Sequence, residues 1–227
     1  MVTGGSFANL LTRGDERSNL DIITKVVAMS GQTITKESTK VLLLERGTEI
    51  MLEKGYNNTG IMEVLQATGV PKGSFYHYFE SKEDFGLQII NHFERAYRDK
   101  LDLTVGNKEL NPVERLRAYC NMGIENFQTQ KCRKGCLIGN LSQEMADQSE
   151  IFRKRLLEIQ TEVTKRFADC FTEAQKAGLI KSAYNCQDLA ETFQAGWAGS
   201  TVRAKTCKTV EPMQAYVRFT FTHVLKA

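Results

Sequence analysis

The sequence predicts an all-α protein of about nine helices. Three observations carry that reading. Apolar residues recur at three- and four-residue spacing along most of the chain, caps and glycine stops punctuate the pattern, and no segment alternates as a strand does. Only three prolines occur, Pro71, Pro112 and Pro212, and each falls where a helix is expected to begin. The 227 residues suffice for one or two compact units with a sizeable core. With 41% hydrophobic and 25% charged residues, the composition excludes a largely disordered chain. No apolar run approaches the roughly 18 residues that cross a bilayer. Asp15, Glu16 and Asp21 interrupt the first residues, so no secretory leader is expected. The six cysteines are then expected to be reduced thiols in a cytoplasmic protein.

Met1 to Thr35 has weak periodicity and reads as a flexible arm, with a short helical piece around Leu20 to Ala28. Met29 is an alternative start. From Lys36 the pattern strengthens: Val41, Leu44, Thr48, Met51 and Leu52 share one helical face, and Lys54-Gly55 is a stop. Thr59 is expected to cap a short helix over Gly60 to Thr68, and Gly69 turns the chain. Pro71 opens a third helix to about Tyr78. Ser81-Lys82-Glu83-Asp84 is a capping box that starts a long helix fading near Gly106. Asn111-Pro112 opens the next, to about Gln128. Lys131 to Asn140 reads as a break, interrupted by Gly135 and Gly139. Further helices are expected from Ser149 to Ala177, from Cys186 to Lys205, and from Pro212 to Leu225.

A short helix, a glycine turn and a second short helix are the geometry that places one helix in a DNA major groove. With Gly69 in the turn, Val64, Val70, Phe75 and Tyr78 pin the two helices together. Lys72, Gly73, Ser74, Tyr76 and His77 then face outward. Gly73 permits close backbone approach, and Ser74, Tyr76 and His77 supply hydrogen-bonding groups. Lys72 and Lys82 bracket the surface with positive charge. Thr59 and Ser81 lie at helix N-termini, where N–H groups can hold a phosphate. Bulk charge gives no such signal: Lys36, Lys40, Arg46, Lys54, Lys72 and Lys82 balance Glu37, Glu45, Glu49, Glu53, Glu63 and Glu80. The run Thr59 to Phe85, above all GVPKGSFYHYF followed by SKE, resembles the DNA-binding domain of the TetR family of one-component transcriptional repressors. Leu65 departs from that pattern, where many members carry alanine. The resemblance implies a helix-turn-helix unit over 36–82 and a regulatory, dimerising unit over 83–227. It also implies a homodimer on double-stranded operator DNA. Small residues around Trp197 (Ala195, Gly196, Ala198, Gly199 and Ser200) are compatible with close helix approach.

Cys132 and Cys136 lie four residues apart with Arg133 and Lys134 between them. Neighbouring cations favour the thiolate, which is the nucleophile. The three histidines are scattered and no second Cys-x-x-Cys pair occurs, so neither zinc nor another cofactor is expected. The stretch GCLIGNLSQEMADQSEIFR (Gly135 to Arg153), with AKTCKTVEP (Ala204 to Pro212), is similar to an electrophile-responsive branch of the family, typified by the N-ethylmaleimide reductase repressor. That resemblance implies Cys136 as the sensor thiol and Lys205 as its partner, with Cys132 a weaker, resolving thiol. A buried, inert Cys136 is the competing reading. Cys120, Cys170, Cys186 and Cys207 read as small hydrophobes. Release by a reversible apolar ligand is the alternative function, with Phe127, Phe167, Phe171 and Trp197, joined by Phe152 and Phe193, as chamber candidates. At helical spacing such rings are more often plain core. No glycine-rich phosphate loop, Gly-x-Ser-x-Gly or His-Glu-x-x-His motif is present, which points away from an enzyme. The expected function is therefore a repressor released from its operator by an electrophile or oxidant.

Overall fold

A computed structural model describes residues 36–225, so the expectations for the first 35 residues lie outside the described part. The described residues form α1 (Lys36–Lys54), α2 (Ile61–Thr68), a 3-10 segment (Lys72–His77), α3 (Lys82–Leu103), α4 (Pro112–Thr129), α5 (Leu137–Met145), α6 (Glu150–Lys176), α7 (Cys186–Cys207), α8 (Glu211–Phe219) and a π-helical turn (Thr220–Val224). No strand occurs among them.

The local signals act as chemistry dictates. Ser81 Oγ accepts the Asp84 N–H at 3.0 Å, and Asn111 Oδ1 accepts the Glu114 N–H at 3.0 Å. Gly55, Gly69 and Gly178 hold φ of +82°, +67° and +69° at three helix ends, a conformation glycine adopts without a Cβ penalty. Two expectations need correction. Thr59 is not the cap of α2: Gly60 occupies that position, and the Thr59 hydroxyl instead donates to Gly55 O at 2.6 Å. Residues 137–140, read as the end of a break, instead open α5 (Leu137–Met145), with Gly139 inside it. Burial of Leu137, Ile138, Leu141 and Met145 outweighs the helix penalty of about 1 kcal/mol for one glycine.

The first three helical elements close over Val64, Leu65, Phe75, Phe79 and Phe85. Phe75 meets Phe79 and Phe85 at centroid distances of 5.1 and 5.3 Å. Leu65 fits this core at 2% exposure. The later helices build a second aromatic group, in which Tyr119, Phe167 and Phe193 stack edge to face at 5.1 and 5.0 Å. The start of α6 joins the two, through an edge contact of Phe152 with Tyr56 at 4.9 Å.

Candidate DNA-reading surface and sensor site

The predicted third helix is a six-residue 3-10 segment. It starts after Pro71, which has no N–H to give, and Gly73 and Ser74 supply little helix propensity. Its buried anchor is Phe75, with Tyr78 half-buried beside it. Lys72, Gly73, Tyr76 and His77 are exposed and Ser74 is half-exposed, so these five predicted positions share one outward surface. Tyr76 is 63% exposed although its ring edge rests on Phe75. A Cβ placed on Gly73 would meet nothing within 4 Å, so an approaching duplex finds bare backbone there.

Two predicted contacts are placed differently. Thr59 is 2% exposed and its hydroxyl points inward, so its side chain is not part of this outward surface. Lys82 is half-buried: its Nζ donates to Asn57 O at 3.1 Å and lies 4.7 Å from the centre of the Tyr56 ring. Burial holds its pKa below the usual lysine value. Lys82 therefore fastens the α1–α2 loop as well as lending charge to the surface.

The loop carrying the paired thiols is tightly wound. Lys131, Cys132 and Gly135 all adopt positive φ (+52°, +53° and +77°). This winding turns Cys132 into the core at 5% exposure, away from solvent. Cys136 remains half-exposed as the N-cap of α5, without a side-chain capping bond. Lys205 lies over the same loop, its Cδ 3.6 Å from where a Gly135 Cβ would sit. Burial pushes the thiols of Cys120 and Cys170 up to about 12, and Cys170 donates to Pro112 O at 3.2 Å. Cys186 is half-buried beside Gln175. Cys207, read as a packed hydrophobe, is exposed.

The chamber reading also needs correction. Phe167 and Phe171 are 0% and 1% exposed and close edge-on against Phe193 at 5.0 and 5.7 Å. They are core rings and line no open chamber. Phe127 and Phe152 are likewise buried, and Trp197 caps the opposite end of this group.

A contact the sequence did not reveal joins the α5–α6 corner to the α1–α2 loop and the start of α3. The Glu144 carboxylate, near the C-terminal end of α5, accepts the Tyr56 and Asn57 N–H groups, both at 2.8 Å. It fills the space beside Gly55, where a Cβ would lie 2.6 Å from Glu144 Oε2. Ser149 Oγ donates to Glu83 at 2.7 Å, and Asn57 Nδ2 donates to Gln148 at 3.2 Å. The corner between α5 and α6 thus grips the α1–α2 loop and the start of α3.

Comparison with known proteins decides the family. Residues 43–89 match the family described as "Bacterial regulatory proteins, tetR family", and residues 112–220 match "Tetracyclin repressor-like, C-terminal domain". The transcriptional regulator AcuR of Cereibacter sphaeroides is 39% identical over 78% of this chain and 80% of its own length. The chain belongs to the TetR family. A second TetR-type relative, the transcriptional repressor DhaR of a Mycobacterium species, is 36% identical over 81% of this chain and 90% of its own length. The crystal structure of reduced Escherichia coli NemR superposes with a TM-score of 0.75 at 28% identity, covering 83% of this chain and 97% of NemR. The chain is accordingly a TetR-family DNA-binding transcriptional repressor and not an enzyme. Among the described residues no helix is long and apolar enough to cross a membrane.

Proposed function

We propose that the protein is a homodimeric repressor released from its operator when an electrophile or oxidant modifies Cys136. One observation carries the reading. α5 starts at the half-exposed Cys136 and, eight residues on, Glu144 clamps the loop that leads into the helix-turn-helix. A group added to the Cys136 sulfur must find room at the helix start, and a helix of nine residues moves as one rigid piece. Its displacement is passed to Tyr56 and Asn57. In this reading residues 36–82 read DNA and residues 83–227 sense and dimerise. Dimerisation is supported by an exposed stripe of small and apolar residues on α7, Ala195, Ala198, Gly199 and Val202, all on one helical face. Phe219 on α8 adds an exposed ring, at 61%. A two-fold dimer would set the two reading segments roughly 34–36 Å apart, one turn of DNA.

The test uses fluorescence anisotropy on the gene's own upstream DNA. Because Cys207 is also exposed, a Cys207→Ser protein is the reference. A maleimide is expected to weaken its operator binding about 100-fold, a bias of about 2.7 kcal/mol between the two states. With Cys136→Ser added, binding should be unchanged and release abolished. Normal release from the double variant would remove Cys136 as the sensor.

A further inference from the structure

We propose that Lys82 is a positioning residue for operator binding: it sets the first helix of the helix-turn-helix through the α1–α2 loop and takes no DNA phosphate. Its place in the sequence speaks for a phosphate contact, because Lys82 opens α3 just past the reading segment. The folded chain turns its ammonium back toward the loop. The Nζ donates to Asn57 O at 3.1 Å and lies 4.7 Å from the centre of the Tyr56 ring. Both partners belong to the loop that leads into α2.

That loop needs an outside hold. α2 has only eight residues, and its N-cap, Gly60, makes no side-chain bond to the first N–H groups. Where α2 begins therefore depends on residues 55–60. Inside the loop the Thr59 N–H donates to Tyr56 O at 3.1 Å and the Thr59 hydroxyl to Gly55 O at 2.6 Å, so the turn is one stiff unit. Two charged side chains hold this unit from opposite sides of one residue. Glu144 accepts the Asn57 N–H at 2.8 Å, and Lys82 donates to the Asn57 carbonyl. Hydrogen bonds with one ionised partner are the stronger kind. The two arms have different anchors. Glu144 belongs to α5 and ties the loop to the regulatory helices, whereas Lys82 belongs to the start of α3 and ties it to the reading segment. The Tyr56 ring is confined as well: a Cβ on Gly86 would lie 2.7 Å from both Tyr56 Cε2 and Phe152 Cζ.

Moving the ammonium to a phosphate would undo this arrangement. Lys82 would give up its bond to Asn57 and the face of the Tyr56 ring. It would also leave the Glu144 carboxylate, whose charge offsets part of the lowering that burial imposes on the Lys82 pKa. Lys72 has no such ties. It is exposed and enters no ion pair or hydrogen bond among the described residues, so it can supply the charge that a backbone contact needs.

The salt dependence of binding separates the two roles. Each phosphate neutralised by a cation adds about 0.9 to the steepness of log K against log salt concentration. Operator binding by the wild type, Lys82→Met and Lys82→Gln is followed by anisotropy over a salt series, and hydrogen exchange of the DNA-free proteins by mass spectrometry. Lys82→Met is expected to weaken binding about ten-fold at every salt concentration, with the slope unchanged. Amides of residues 55–62 should exchange about ten-fold faster in this variant, with exchange in α7 unchanged. Lys82→Gln provides a second neutral variant, and the wild-type slope is expected from it too. A slope shallower by about 0.9 in either variant would overturn the proposal. So would unchanged affinity or unchanged loop exchange in Lys82→Met, or faster exchange throughout α7. No maleimide enters the experiment, so its outcome is independent of the Cys136 reading.

Discussion

Replacing Phe75 by alanine is expected to cost about 3–5 kcal/mol of folding free energy, the usual price of deleting a fully buried ring. Phe75 is 0% exposed and touches the rings of Tyr76, Phe79 and Phe85. The whole 3-10 segment hangs on this one anchor. The neighbouring Tyr76→Ala should behave in the opposite way. Its ring is 63% exposed, so stability should change by about 0.5 kcal/mol or less, while operator affinity falls about ten-fold. Urea unfolding followed by circular dichroism checks the first, and anisotropy on operator DNA the second. An unchanged midpoint for Phe75→Ala would refute the anchor. Unchanged affinity for Tyr76→Ala would remove that residue from the DNA contacts.

Glu144→Ala is expected to break the link between sensor and reader. The carboxylate satisfies two N–H groups at 2.8 Å, and one of them belongs to the buried Tyr56. Bonds to a charged acceptor contribute about 1.5–3 kcal/mol each, and Asn57, being exposed, can turn to water instead. A stability loss of about 2–3 kcal/mol is therefore expected. The functional effect should be more specific. Operator binding by the unmodified protein should survive within a few-fold, but the roughly 100-fold release by maleimide should collapse, because α5 no longer holds the α1–α2 loop. Paired anisotropy titrations with and without maleimide give the answer. Full release from Glu144→Ala would mean that the signal runs through another contact, such as Ser149 with Glu83.

What the sequence made legible is local. Ser81, Asn111, Gly55, Gly69 and Gly178 announce helix ends through chemistry that acts over three or four residues, and the structure places each at such an end. The outward set on the reading segment follows from helical spacing around Phe75. What stayed hidden depends on partners far along the chain. Glu144 meets Tyr56 across 88 residues, and nothing in the local pattern of α5 marks that carboxylate. Lys82 sits in a capping box and reads as surface charge, and only the folded packing turns its ammonium to Asn57. Thr59 misled because a threonine beside a helix start has two options, and here the carbonyl of Gly55 took its hydroxyl. α5 was missed because its glycine speaks against a helix locally, while its buried face is defined only by the helices around it.

The brevity of the reading segment bears on how an operator is recognised. Six residues in a 3-10 turn, two of them committed inward as Phe75 or reduced to bare backbone as Gly73, leave few side chains to touch base edges. Each half of the operator is then spelled by a short word, too short to be rare in a genome. In the proposed dimer the missing information comes from the ruler between the words. With about 10–10.5 base pairs per turn, one inserted base pair rotates one word by roughly 35° around the duplex axis. Recognition of this kind tolerates a changed letter better than a changed spacing, and an effector needs only to miscalibrate the ruler to silence the protein.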